Sequence, residues 1–249
     1  RVSIPSTVKV IGEYAFDRCT HLMCVELREG LERVDEGAFY ECTSLERVSI
    51  PSTVKVIGKH AFHQCTRLMH VELREGLESI SKRAFSSCSL LERISIPSTA
   101  KVIGEYAFVG CTRLMRVELR EGLERVDEGA FYGCTLLESI TIPSTVKVIG
   151  KEAFVRCTRL MQVELREGLE SISNGAFYEC TSASHPPSTT LRRMCSGTAL
   201  LWKQLNSVRK LRSLFLQWHY GLGGIMEHRI CHCGRVLFWL DVIFQSVWV

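Results

Sequence analysis

Residues 50–73 read IPSTVKVIGKHAFHQCTRLMHVEL, and close variants of this string fill most of the chain. Its centre, Ala61-Phe62 followed by Cys65, returns every 23 residues. The phenylalanines are Phe16, Phe39, Phe62, Phe85, Phe108, Phe131, Phe154 and Phe177, and each has a cysteine three residues on, from Cys19 to Cys180. A fixed step of this size marks a unit that cannot bury its apolar face alone and must stack on copies of itself. The fold class is therefore a repeat solenoid.

The repeat has two levels. Pro5, Pro51, Pro97 and Pro143 recur every 46 residues, as do Met23, Met69, Met115 and Met161. Coils thus alternate between two kinds, one reading IPSTVKVIG (residues 50–58) and the other LREGLE (residues 73–78). Residues 27–43 and 119–135 differ only at Glu41 against Gly133, a further doubling that speaks of duplication within one chain.

Within one coil, Leu68, Val71 and Leu73 alternate with polar residues, which predicts a short half-buried strand. Arg74-Glu75-Gly76 is a turn, and Pro51-Ser52-Thr53 holds the same corner of the sister coil. Leu77 and Ile80 then point inward from a second extended segment. A helical turn is expected next. Its first position holds Gly12, Asp35, Gly58, Ser81, Gly104, Asp127, Gly150 or Ser173, residue types accepted at an N-cap, and Phe85 and Cys88 would share its inner face.

This order of Ile-Pro, Val, Ile-Gly, Ala-Phe, Cys and Leu resembles the BspA-type leucine-rich repeat family. The likeness covers residues 1–181 in eight coils. It implies an α/β repeat solenoid, a right-handed superhelix with a parallel β-sheet on one face and short helical turns on the other. It also implies a surface or secreted protein that binds host or matrix proteins.

Charge and cysteines narrow the function. The formal net charge of +4 hides a split: residues 182–249 carry eight basic and two acidic residues, so residues 1–181 carry 23 basic (31 − 8) and 25 acidic (27 − 2). A nucleic-acid binder should show a basic balance, and the repeats do not. Eight of the twelve cysteines form the periodic file and read as small buried thiols rather than disulfides or zinc ligands, because a straight file supplies no convergence. No phosphate loop, zinc motif or nucleophile elbow is present, so no catalytic residue, metal or cofactor is assigned. His21, His60, His63 and His70 are not repeated in other coils and read as surface substitutions, with His60 and His63 close enough for a weak metal contact.

The strand face carries the candidate site. Between the two inward residues of each strand, Glu26, Glu72, Glu118 and Glu164 alternate with Ser3, Ser49, Ser95 and Thr141. Two positions earlier stand Cys24, Arg47, His70, Arg93, Arg116, Ser139 and Gln162. All are expected to be exposed, and the four glutamates with Arg47, His70, Arg93 and Arg116 to bind a partner, either protein or glycan. The bland alternative is solvation, with the alternation spacing out like charges. Function is accordingly a non-catalytic interaction scaffold, with a structural spacer as the alternative. A hydrolase is more remote, since an open strip offers no pocket to perturb a carboxylate.

The pattern stops near Thr181. Residues 182–197 read as a breaker segment and 198–249 as a basic and apolar tail holding all four tryptophans. Residues 198–220 could form an amphipathic helix suited to a membrane or a partner. A cap over the open solenoid end, or translation in a shifted frame, are the competing readings. The chain starts at Arg1 inside a strand, as a fragment would.

Overall fold

The computed structural model describes residues 1–180; Thr181, the breaker segment and the whole tail lie outside the described residues. The described chain is a parallel β-solenoid. Each of eight coils contributes two strands, giving about seven full turns from first to last.

The first strand of each coil lies on one face: Val2–Ser3, Val25–Glu26, Arg47–Ile50, His70–Leu73, Arg93–Ile96, Arg116–Leu119, Ser139–Ile142 and Gln162–Leu165. The last six form one parallel sheet and the first two another, joined through a bridge from Cys24 to Arg47. The second extended segment builds its own eight-stranded parallel sheet, from Val10–Ile11 to Ser171–Ile172. In both sheets each residue pairs with the one 23 positions on, as Arg47 with His70 and Val56 with Ser79. The register is therefore the sequence repeat itself, and a slip would move a whole apolar set out of the core.

The third side differs from the expectation. The described residues contain no helix. Where a helical turn was predicted, the chain makes successive tight turns and alternate N–H groups leave the coil. The N–H groups of His60, Phe62 and Gln64 donate to the carbonyls of Lys82, Ala84 and Ser86 at 3.0, 2.7 and 2.8 Å, while those of Ala61, His63 and Cys65 stay within the coil. A helix would satisfy its N–H groups internally; here half of them become a third ladder between coils. The geometry needs a left-handed residue at two fixed places per coil. His60 (φ 53°) and Gln64 (φ 55°) hold them in one coil, Arg83 and Ser87 in the next, and glycine in several others. Gly58 and its equivalents are thus turn residues, not caps.

Inside, side chains stack as files. The eight phenylalanine rings lie parallel within 8° of one another, with centroids 5.0–5.3 Å apart. Seven of them are fully buried. Each thiol from Cys42 to Cys180 donates to the carbonyl of the phenylalanine 26 residues earlier, as Cys65 to Phe39 at 3.2 Å. Burial pushes the Cys111 and Cys157 thiols up to about 12. The thiols from Cys42 to Cys157 are therefore buried core groups with a carbonyl partner, poor nucleophiles at neutral pH.

The corners explain the 46-residue step. The Glu75 carboxylate accepts from the Ser98 N–H and hydroxyl (3.3 and 2.9 Å). Arg120, two coils on from Glu75, closes on it at 3.2 Å. Glu29 with Ser52 and Arg74, and Glu121 with Ser144 and Arg166, repeat this arrangement. An Arg-Glu-Gly coil thus grips the Pro-Ser-Thr coil that follows, and the next Arg-Glu-Gly coil reaches back over it. Gly122 sits at the same corner with φ +114°, and a Cβ there would collide with the Ser98 carbonyl. Only glycine fits.

Candidate functional site

The strand face places both predicted files side by side. Its strands begin with an exposed residue, and Arg47, His70, Arg93 and Arg116 follow one another in direct register. At the strand spacing of ~4.8 Å these four side chains span ~14 Å along the solenoid. Among the described residues, none of the three arginines makes an ion pair or a side-chain hydrogen bond. They line an open groove of about 920 Å³ with His70, Glu72 and Glu118.

The glutamate file is different, because every member is held. Ser49 donates its hydroxyl to Glu72 at 2.7 Å and Thr141 to Glu164 at 3.1 Å, each across one strand pair. At these two steps the alternation of acid and hydroxyl is a hydrogen bond and not only a spacing of charge. Each acid also meets the arginine two residues on: Glu26 with Arg28 (3.5 Å), Glu72 with Arg74 (3.4 Å), Glu118 with Arg120 (3.5 Å) and Glu164 with Arg166 (3.8 Å). The Ser3 hydroxyl and the Arg28 guanidinium hold the Glu26 carboxyl below the usual carboxylate range. Glu26 itself is half-buried, whereas Glu72, Glu118 and Glu164 are exposed. These arginines went unassigned in the sequence reading. Their signal was present as the recurrent Glu-Leu-Arg of each LREGLE coil, two residues apart on one side of a strand.

A further file flanks the cations on their other side. Met23, Met69, Met115 and Met161 alternate there with Glu46, Glu92 and Glu138. Met23 is 57% exposed and Met161 44%, large apolar groups left in water on the rim of a polar strip.

The histidines separate. His70 belongs to the strand-face file, but His60 and His63 lie on the turn side and are not surface substitutions. Both are half-buried against Tyr40, with ring centroids 5.3 Å apart, and the Nδ1 atom of each is buried without a partner. Burial, then neighbouring positive groups, lower the pKa of both. Among the described residues no group of three or more metal-ligating side chains converges, and two imidazoles fall short of a built metal site. No described helix is long and apolar enough to cross a membrane, and the proposed tail helix lies outside the described residues.

Comparison with known proteins agrees with the geometry. The sequence profile of the BspA type leucine rich repeat region matches residues 1–105 and 78–193 in six copies. Among curated proteins, none matches significantly. Among solved structures, the chain is similar to a leucine-rich repeat protein from Bacteroides ovatus (32% identity, TM-score 0.66), covering 72% of this chain and 49% of that one. A leucine rich cell surface protein from Faecalibacterium prausnitzii is 30% identical with a TM-score of 0.54, covering 69% of this chain and 48% of that one. The Treponema (T. pallidum) leucine-rich repeat protein is 33% identical with a TM-score of 0.61; 68% of this chain and 79% of that one are covered. The chain thus spans about half the length of the first two, and most of the third. On its repeat, its profile match and its solved neighbours, the chain belongs to the BspA-type leucine-rich repeat family.

Proposed function

We propose that this chain is a non-catalytic scaffold that binds a partner protein through its strand face, at Glu26, Glu72, Glu118 and Glu164 with Arg47, His70, Arg93 and Arg116. One observation carries this reading. Inward positions repeat the same residue types in coil after coil, while the outward first position of the face strands runs Arg47, His70, Arg93, Arg116, Ser139, Gln162. Stacking demands the former and is indifferent to the latter, so the variation sits where a partner would read it. The similarity to a protein described as a cell surface protein supports a location at the cell surface.

A hydrolase is disfavoured on the same geometry. The groove is open, and its carboxylates are engaged by hydroxyls and guanidinium groups rather than paired across a substrate. The right-handed winding carried by the family likeness also fits the general hand of parallel crossovers. Residues 182–197 as a linker and 198–249 as a separate segment complete the proposed organisation.

The test is site-specific photo-crosslinking. A photoreactive residue replacing Ser95 on the strand face should give adducts with a protein partner on cells or matrix, and one replacing Lys82 on the turn side should not. Reversing Arg47, Arg93 and Arg116 to glutamate should then abolish the adducts. Adducts from Lys82 alone, or indifference to the reversal, would favour a spacer whose face is immaterial.

A further inference from the structure

Among the described residues of the strand face, Arg47, Arg93 and Arg116 form a file of cations without an ion pair. Arg47, Arg93 and Arg116, with His70 among them, stand in register on neighbouring strands. Like charges directly opposite one another in a sheet are destabilising. Elsewhere the chain pairs its charges readily: Arg74, Arg120 and Arg166 each hold two carboxylates. A purely solvating face would have been stabilised by alternating this file as the glutamate file is alternated. Arg93 and Arg116, direct neighbours, repel weakly, and an anionic group lying along the file would relieve that repulsion.

We infer that this file binds an extended acidic segment of a partner polypeptide, with acidic side chains at alternate positions. The inference rests on the scaffold reading above and names its ligand class. Spacing supports it. In an extended peptide, residues i, i+2 and i+4 point the same way and span ~13 Å, against ~14 Å from Arg47 to Arg116, with the middle acid falling between His70 and Arg93. The flanks argue for a narrow, moderately charged chain. Glu72 and Glu118 lie on one side of the cations and Glu46 and Glu92 on the other, so a dense polyanion would be repelled at its edges. The exposed methionines on the rim suit the apolar side chains that a polypeptide carries.

The experiment uses the full 249-residue chain and fluorescence anisotropy in about 0.1 M salt, where surface charges are screened beyond ~10 Å. The probes are a labelled peptide with glutamates at alternate positions separated by serines, its lysine counterpart, heparin, and an oligothymidylate. The glutamate peptide should bind and the lysine peptide should not. The triple variant Arg47→Ser, Arg93→Ser, Arg116→Ser should weaken the glutamate peptide by about tenfold or more. The control variant Lys55→Ser, Lys101→Ser, Lys147→Ser removes equal charge from the adjoining sheet and should change affinity by less than about twofold, the sign of a local site. Circular dichroism confirms that each variant is folded.

Equal losses in both triple variants would overturn the site. Tighter binding of heparin or oligothymidylate, lost in the arginine variant, would overturn the peptide as ligand. Failure of the glutamate peptide to bind at all would overturn the inference; strand-face adducts persisting at position 95 would then leave the scaffold reading standing, and their absence would remove both.

Discussion

The turn side and the strand face of this solenoid are built from the same repeat and obey opposite rules. On the turn side every coil supplies a phenylalanine ring, a thiol and two left-handed residues, and most of these groups stack on or bond to a neighbouring coil. On the strand face the inward residues repeat but the outward ones alternate or vary, and three arginine side chains make no ion pair or hydrogen bond among the described residues. Groups that bond between coils must match their neighbours in kind and position. Groups that point into water are released from that demand. The contrast locates stability in one region and recognition in the other, and it can be attacked from either side.

The largest effect should come from the phenylalanine file. Phe108 is fully buried between Phe85 and Phe131. Phe108→Ala should cost about 3–5 kcal/mol in chemical denaturation, since it removes transfer energy and leaves a cavity. Because each coil contacts only its neighbours, the loss should also broaden the transition into separate melting of the two flanking segments. The corner glycine comes next. Gly122→Ala should cost more than about 1 kcal/mol, because the new methyl overlaps the Ser98 carbonyl and alanine disfavours positive φ.

Between pH 7.5 and pH 5, above the carboxylate range, acid should act on the turn side. His60 and His63 have folded pKa values below the ordinary value, so the folded chain prefers them neutral while the unfolded chain takes up protons more readily. Their contribution is complete above about pH 6.5, the unfolded value, and is lost as pH falls through the lower folded values. The melting temperature should therefore drop between pH 7.5 and pH 5, and the double variant His60→Asn, His63→Gln should flatten that drop. An unchanged drop in the double variant would place the acid sensitivity elsewhere.

Much of this was legible from residue spacing. The Phe and Cys step gives the solenoid, because stacking makes sequence period and spatial neighbour the same thing; apolar alternation gives the inward leucines, and the parallel sheet comes only with the family likeness. The turn side was misread as helical for a definite reason. Gly37, Gly129 and Gly175 hint at positive φ, but Tyr14, His60, Arg83, Tyr106 and Glu152 occupy the same site, and nothing in those side chains announces a left-handed backbone. The glutamate file is legible as an exposed alternation, but what holds it is not. Its partners lie 2 residues away in Arg74 and 23 away in Ser49, and only the stacked coils bring them together.

The left-handed sites give a prediction of opposite sign. Arg83 sits at φ 54°, where a non-glycine residue is strained by roughly 1–2 kcal/mol. Arg83→Gly relieves this strain but raises the entropy of the unfolded chain and removes a contact over the Tyr106 ring. The net gain should be at most about 1 kcal/mol. Denaturant midpoints for Arg83→Gly against Arg83→Ala separate relief of strain from loss of the side chain: only the glycine variant should stabilise.

The smallest effect should fall on the strand face. Arg93→Ser removes the middle guanidinium of an unpaired like-charge file. Two such charges ~4.8 Å apart in water repel by about 0.9 kcal/mol at most, and salt and side-chain divergence reduce this to tenths. The variant should therefore unfold within about 0.5 kcal/mol of the parent, on the stabilised side, while the acidic peptide is weakened. A residue whose removal helps the fold and harms binding is retained for what it contacts outside the chain. Should Arg93→Ser instead destabilise as a corner or core substitution does, the strand face would belong with the turn side as structure, and the division between the two regions would fall.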